Sequence, residues 1–290
     1  MSKIIRTAII LVILLSIAGC ISSADSSKKE VINLNESLFL LKNFQNGYLT
    51  LSINLDNLQT NQQKHLEISY YVFPDGMVQG TFRIEQGEFL STKGSFQSKG
   101  RDRFIILDQI DSSEKQLKLL PVDEWIKIDS LFDNYWITFL STHKFSTIDK
   151  NIFWTGFRKN NLFQTTPTGE SEIVPTYNFN LTLDKEGLND FNNFLFSNFP
   201  FIYSLFSNDK DKTDQEMDIF FNQLTLNQGQ ADIYQSTNFP RSLDLDLKSM
   251  IDNNATSIQI SLQTDLETQK PDPLIIKNSL RLKDILNTLP

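Results

Sequence analysis

Cysteine is nearly absent from this chain, with one residue among 290. A single cysteine excludes an intrachain disulfide, and with it the disulfide-rich class of small secreted domains. Glycine is also scarce, at 11 residues, which excludes a collagen-like repeat. Positive charge is in deficit, because 27 Lys and Arg stand against 35 Asp and Glu, a formal net charge of −8. A nucleic-acid-binding surface requires an excess of basic residues, so we expect no nucleic-acid partner.

Residue types that carry catalysis are sparse as well. The chain holds two histidines, His65 and His143, and its one cysteine is Cys20. It contains no glycine motif of the dinucleotide-binding, phosphate-binding or serine-hydrolase type, and no H-E-x-x-H metal motif. A zinc site would therefore depend mainly on carboxylates. We expect no catalytic residue, no metal ligand and no cofactor, and we predict that the protein is not an enzyme.

The composition that remains is that of a globular protein. Hydrophobic residues make up 40% of the chain and charged residues 21%, both within the ordinary range. A chain of this length can bury a full core, as one large domain or two small ones. Phenylalanine is abundant, with 23 residues.

The N-terminus has the three parts of a signal peptide. Lys3 and Arg6 are cationic, and the apolar run 8–17 that follows is too short to span a hydrocarbon core of about 30 Å. The next residues, Ile17-Ala18-Gly19-Cys20, resemble the lipobox of bacterial-type lipoproteins. That resemblance implies removal of residues 1–19 and attachment of a diacylglyceryl group to Cys20. The protein would then be lipid-anchored at the extracytoplasmic face of the cell membrane. The alternative is an uncleaved anchor in which Cys20 is incidental.

Residues 20–35 are expected to form the lipidated cysteine and a flexible tether. The stretch Ser-Ser-Ala-Asp-Ser-Ser-Lys-Lys-Glu is polar and cannot bury enough apolar area to order itself. Residues 36–290 are expected to form a single domain.

A period-two alternation of apolar and polar residues dominates that domain. The clearest runs are 49–55, 66–72, 78–84, 177–183, 243–247 and 258–262, and further strand candidates are 88–96, 103–109, 115–120 and 124–128. Pro74-Asp75-Gly76 separates two of these runs and predicts a tight turn. About ten strands with one apolar face predict an antiparallel sheet that is covered on one side. The common interior would include Leu243, Leu245, Leu247, Ile258, Ile260 and Leu262.

Helical periodicity is rarer. The clearest helix is predicted at 188–206, inside an insertion at about 184–216, with Asp184 as its N-cap and a kink at Pro200. Its apolar stripe comprises Leu188, Phe191, Phe194, Leu195, Phe199 and Ile202. The sequence also predicts helices at 34–46, 130–141 and 282–289, and a charged loop at 207–216.

The order of these elements resembles the LolA/LolB and LppX/LprG superfamily of lipoprotein and lipid carriers. The motifs that carry the resemblance are Trp125-Ile126-Lys127-Ile128-Asp129, the strand-to-helix junction 177–188, the hairpin 231–243 and the late segment 271–276. The resemblance implies an α+β fold, in which a strongly curved, half-open antiparallel β-barrel has a few helices covering its concave face.

Two functions fit this sequence. The first is a membrane-anchored surface lipoprotein that binds a hydrophobic ligand, either a lipid or the acyl chain of lipidated cargo, in an apolar cavity. The six stripe residues of helix 188–206 would then form a lid over that cavity. The second is a structural or adaptor surface lipoprotein with a filled core and no ligand. An unrecognised hydrolase is the least favoured reading, and the sequence leaves the oligomeric state open.

Replacement of Cys20 by Ser tests the anchor. We expect Cys20→Ser to move the protein from the membrane fraction to the soluble fraction, because stable anchoring needs the two acyl chains that the thiol would receive. Cell fractionation and mass spectrometry of the N-terminus measure this. Membrane retention with residues 1–19 still attached would identify a transmembrane anchor instead.

Overall fold

The computed structural model describes most of the predicted domain. The described residues are 34–41, 44–60, 62–99, 102–113, 118, 120–127, 147–198, 219–251, 254–266, 268–281 and 284–285. Cys20, the predicted helix 130–141, Pro200 and the predicted loop 207–216 lie outside these residues, as do all but two residues of the strand candidate 115–120. None of the described helices has both the length and the apolar character that crossing a bilayer would require.

The described strands form one large, curved and open sheet, and this confirms the predicted fold class. The strands are β1 (Gly47–Asn57), β2 (Gln62–Val72), β3 (Val78–Gln86), β4 (Leu90–Lys99), β5 (Asp102–Ser112), β6 (Trp125–Lys127), β7 (Phe163–Ser171), β8 (Thr176–Leu183), β9 (Thr225–Tyr234), β10 (Pro240–Ile251), β11 (Asn254–Asp265) and β12 (Leu280–Arg281). Their spatial order is β12-β6-β5-β4-β3-β2-β1-β11-β10-β9-β8-β7. The pairs are antiparallel except for β12 with β6, which are parallel.

Strand β7 was not predicted, and its position in the sheet explains why. It is an edge strand with a single neighbour, β8. Most of its side chains are exposed, so its sequence lacks the apolar alternation of a half-buried strand. Pro167 lies within it, beside a break in the register between Pro167 and Gly169. Proline is tolerated in a sheet at such edges and irregularities.

The helices whose bounds lie within the described residues are α1 (Leu34–Leu40), α2 (Thr147–Lys159) and α3 (Lys185–Asn198). Helix α1 ends at Leu40, earlier than the predicted end at Asn46. Asn46 has a φ of 58° and lies just ahead of β1. Leu34 and Asn35 are each 2% exposed, so the packed domain includes the last two residues assigned to the tether.

Helix α3 starts where its cap predicts. The Gly187 amide donates to Asp184 Oδ1 at 3.2 Å, and the Leu188 amide donates to the Asp184 carbonyl at 2.9 Å. The side-chain bond satisfies one of the free amides of the first helical turn, as an N-cap does. Helix α3 is described to Asn198, and the remainder of the predicted span to 206 lies outside the described residues.

The core lies between the apolar face of the sheet and the helices. Leu243, Leu245 and Leu247 of β10 stand directly opposite Leu262, Ile260 and Ile258 of β11. All six side chains are buried, which confirms the predicted common interior. Because one residue of slippage would turn every side chain to the other face, this alternation fixes the register.

A small second cluster forms on the outer face. It comprises Tyr71, Phe73 and Met77, with Tyr48 packed against it. The predicted turn 74–76 supports this cluster: Gly76 has φ of 78°, and the Met77 amide donates to Asp75 Oδ1 at 3.2 Å. The C-terminal segment is tied to the same face through Gln79, whose Nε2 donates to the Asp272 carbonyl at 2.9 Å and whose Oε1 accepts from the Leu274 amide at 2.9 Å.

The register of β10 predicts opposite outcomes at neighbouring positions. Leu245→Asp should lower the free energy of unfolding by several kcal/mol, because it places an unpaired carboxylate where the leucine is 8% exposed. Asp244→Asn, on the exposed side of the same strand, should change it by less than about 0.5 kcal/mol. Urea denaturation measures both values, and equal midpoints would show that the register is wrong.

Candidate functional site

The apolar face of the sheet has a covered half and an open half. In the covered half, strands β1, β10 and β11 point their inward side chains at the helices, and each of these is between 1% and 8% exposed. They are Leu49, Leu51, Ile53, Leu55, Leu243, Leu245, Leu247, Ile258, Ile260 and Leu262.

Helix α1 lies inside the curve, against β7, β9 and β10. Polar contacts join it to helix α2 and the residues after it. Asn35 Nδ2 donates to the Asn160 carbonyl at 2.9 Å, and Arg158 Nε donates to Glu36 Oε1 at 2.5 Å. The Phe39 ring meets Trp154 edge-on, with centroids 6.3 Å apart. These contacts fix the helices over one half of the sheet.

The described lid residues of α3 belong to the core. Leu188, Phe191 and Leu195 are 4%, 6% and 3% exposed and lie in the main hydrophobic cluster, while Phe194 is half-buried against it. Phe199 and Ile202 lie outside the described residues. The structure therefore brings together the first four members of the predicted stripe, and it places them as packed side chains.

Close backbone approaches hold α3 in that position. A Cβ at Gly187 would lie 1.8 Å from the Asn161 carbonyl oxygen, and one at Gly156 would lie 2.1 Å from the Phe194 ring. Only glycine fits against the Asn161 carbonyl, and a larger residue at position 156 would have to displace the Phe194 ring. Lys185 Nζ also donates to the carbonyl of Leu224. Helix α3 thus packs directly on α2 and on the entry to β7.

The open half is formed by strands β2 to β5. The strand register aligns inward residues of β2 to β5 with those of β1 in rows that cross the sheet. One row consists of Leu51, Ile68, Phe82, Gly94 and Leu107, and the next consists of Ile53, Leu66, Ile84, Thr92 and Ile110. Most inward apolar side chains here are only half-buried, unlike those of β1. They are Leu66, Ile68, Val78, Phe82, Ile84, Leu90, Phe96, Ile105 and Ile110.

Two strand glycines mark close approaches between neighbouring strands of the open half. A Cβ at Gly94 would lie 3.0 Å from Cζ of Phe82, so this ring extends from β3 over β4. A Cβ at Gly80 would lie 2.6 Å from Cα and Cβ of Tyr70. Glycine inside a strand weakens the strand and often marks such a close approach. In a chain with few glycines, these two positions were the available sequence signal for this surface.

Tyr70 stands at the boundary between the two halves. It is 8% exposed, and it faces Leu49 on the covered side and Gly80 on the open side. Its ring meets Phe96 of β4 at a centroid distance of 6.3 Å and an angle of 62°. Burial raises the pKa of the Tyr70 phenol well above its usual value.

The outer face of the sheet is polar. A groove of about 870 Å³ on this face is lined by residues that include Thr50, Asp232 and Arg241. A second, of about 690 Å³, includes His65, whose Nδ1 lies 2.5 Å from Asn54 Oδ1. His143 lies outside the described residues. Among the described residues, no group of three His, Cys, Asp or Glu side chains is placed to hold a metal ion.

Comparison with known proteins leaves the family open. No family model matches the chain, and no curated protein matches it either. Among solved structures, it is similar to a DUF1329 family protein from Desulfovibrio piger, at 10% identity over 76% of this chain and 83% of that one, with a TM-score of 0.20. It is also similar to an outer membrane lipoprotein-sorting protein domain from Vibrio parahaemolyticus, at 8% identity over 83% and 89%, with a TM-score of 0.19. At these TM-scores neither likeness bears on the fold or function of this chain.

A truncation in α3 separates a packed helix from a lid. Leu195→Ala should lower the free energy of unfolding by about 2–5 kcal/mol, because the buried side chain leaves a cavity. Ser197→Ala, at an exposed position of the same helix, should change it by less than about 0.5 kcal/mol. Thermal and urea unfolding measure the difference. If Leu195→Ala leaves stability intact but weakens acyl-chain binding, the lid hypothesis is favoured.

Proposed function

We propose that this protein is a lipid-anchored lipoprotein of the cell envelope that binds an acyl chain on the open half of its sheet. One observation carries the proposal. The inward positions of β1 are buried, whereas most of the apolar positions that continue the same rows across β2 to β5 are only partly buried. The lipobox-like residues 17–20 supply the proposed anchor at Cys20, and the ligand would be a lipid or the acyl chain of lipidated cargo.

The physical reason for a ligand is the free energy of exposed apolar surface. Each square ångström removed from water contributes about 25 cal/mol, and contiguous exposed apolar patches commonly mark binding sites. The rows of the open half run across the four strands β2 to β5, a distance of about 14 Å at ~4.8 Å per strand spacing. An extended acyl chain can lie along such a strip, and it needs no directional partner along its length.

The dimensions of the surface also favour a chain over a globular apolar group. The end of the Phe82 ring lies against Gly94 of the neighbouring strand, so the ring packs on the sheet and projects little into the concave space. The walls of that space are the curved strands and the helices packed over β7, β9 and β10. The ligand would lie on the inward apolar side chains of β2 to β5, beside these helices.

A structural or adaptor lipoprotein is the second candidate. It is favoured by the burial of Leu188, Phe191 and Leu195, because a helix whose stripe already fills the core has no surplus apolar surface to offer a ligand. The two candidates differ in what happens at β2 to β5, since the adaptor requires no acyl chain there.

A polar substitution in the open half tests the proposal. Phe82→Gln should weaken binding of cis-parinaric acid, a fluorescent fatty acid, by about tenfold or more, because it removes an aromatic contact and places an amide on the apolar floor. Thr81→Gln, the adjacent and outward-facing position of β3, is the matched control and should bind as the wild type does. Fluorescence titration of protein purified from its own membrane and freed of lipid measures both affinities.

Stability has to be followed in the same variants. Phe82 is half-buried, so its replacement should destabilise the fold less than Leu245→Asp does. The proposal fails if the lipid-free wild-type protein binds no acyl probe, or if Phe82→Gln and Thr81→Gln bind it equally well. The first result would favour the adaptor.

A further inference from the structure

The groove of about 870 Å³ lies on the polar face of the sheet, opposite the surface proposed for the acyl chain. We call it the outer groove, and its lining comes mainly from β1, β9, β10 and β11. Its volume is within the range of about 300–1,000 Å³ that is common for small-ligand sites. Such sites usually have apolar linings, whereas hydroxyl, carboxylate, amide and guanidinium groups dominate this one. The outer groove therefore suits a hydrophilic ligand.

A β-bulge brings Arg241 into the lining of this groove. Pro240 of β10 pairs with Ile233 of β9. The next pair in the ladder is Ser242 with Asp232, so Arg241 is an extra residue in β10. Regular alternation would put adjacent residues on opposite faces, yet Arg241 and Ser242 both line the outer groove. Bulges redirect side chains in this way, and they are common beside functional sites.

Two charged groups of the outer groove have hydrogen-bonding capacity to spare. Within the described part of the chain, the Arg241 side chain forms no hydrogen bond or ion pair, although three aspartates line the same groove. The exposed carboxylate of Asp244 has no side-chain partner among these residues either. A guanidinium offers five N–H donors and a carboxylate accepts through both oxygens. A ligand in the groove can therefore meet donors and acceptors together.

Other polar groups of the lining are held in place by the sheet. Asp232 accepts hydrogen bonds from Asn178 Nδ2 at 2.6 Å and from Ser242 Oγ at 3.1 Å. The Thr50 and Ser69 hydroxyl oxygens lie 2.9 Å apart on neighbouring strands. Because side chains fixed on strands lose little freedom when a ligand arrives, this lining is preorganised for binding.

The charges of the lining favour a neutral ligand. The three aspartates disfavour an anion, while a cation would leave the donors of Arg241 unused. A sugar is neutral, and each of its hydroxyl groups can donate to Asp244 or accept from Arg241. The groove also contains the half-buried Tyr48, whose ring is held edge-on against Tyr71 at a centroid distance of 5.1 Å. An aromatic ring in a polar groove provides a surface for the C–H face of a sugar.

We propose that the outer groove binds a neutral oligosaccharide, with Arg241 and Asp244 as binding residues. The site is on the opposite face from the acyl-chain surface, so the inference does not depend on the proposed function. No bond is made or broken in this role. A protein with both sites holds an acyl chain on one face of its sheet and a glycan on the other.

Isothermal titration calorimetry with three neutral trisaccharides tests the inference. The probes are cellotriose, mannotriose and triacetylchitotriose, and we expect the wild-type protein to bind at least one of them. Arg241→Gln should weaken that binding by about tenfold or more, the loss expected for a hydrogen bond to a charged group, and Asp244→Asn should weaken it as well. The matched control is Lys248→Gln, which removes a positive charge at an exposed position of β10 outside the groove and should stay within twofold of wild type.

Two further measurements make the test specific. Urea denaturation of each variant excludes loss of binding through unfolding, and cis-parinaric acid should bind Arg241→Gln as it binds the wild type. The inference is wrong if the wild-type protein binds none of the three sugars, or if Arg241→Gln and Lys248→Gln bind the sugar equally well. Tighter binding of trigalacturonic acid, an anionic trisaccharide, than of every neutral probe also overturns it, because the groove would then be an anion site. Each of these results leaves the proposed function standing.

Discussion

The pairing of β1 with β11 is the interaction on which the rest of the structure depends. Strands β1 to β5 form one antiparallel meander and β7 to β11 another, and the two are joined at this ladder. Leu51 stands opposite Leu262 and Ile53 opposite Ile260, so the hydrogen-bonded register also aligns the two apolar faces. Without this pairing each meander would expose an edge, and helix α1 would lose part of the surface that it covers. The join brings together residues about 200 positions apart, which makes the fold one of long-range contacts.

The strict alternation of the central strands is why their fold could be read from the sequence. In β1, β2, β10 and β11 one face is apolar and the other faces solvent, so apolar and polar residues alternate along the sequence with a period of two. The Asp184 cap and the 74–76 turn were predictable because each depends on local chemistry. Helix α2 was not predicted, since Gly156 interrupts it and Trp154 and Phe157 alone mark its described packing face. The central Gly156 is explained only by the Phe194 ring packed against it.

The candidate site shows a different limit of sequence reasoning. Periodicity states which side chains share a face, but it does not state whether anything covers that face. The stripe of α3 and the inward residues of β3 are equally apolar in sequence, yet Leu188 is buried and Phe82 is only partly buried. Their difference arises from where the helices dock, and that is set by contacts distant in sequence, such as Asn35 with Asn160.

The two ends of the sheet bear on how copies of this protein can associate. At one end β12 offers two residues, and at the other β7 carries Pro167, which has no amide hydrogen to donate, next to an irregular register. Short edge strands, prolines and bulges are the means by which natural sheets avoid pairing edge to edge. Among the described strands, neither end therefore offers a long regular edge to which a second chain could add a strand. Self-association, where it occurs, would use side chains on the faces of the sheet, so a high local concentration of the protein need not lead to fibrillar aggregation.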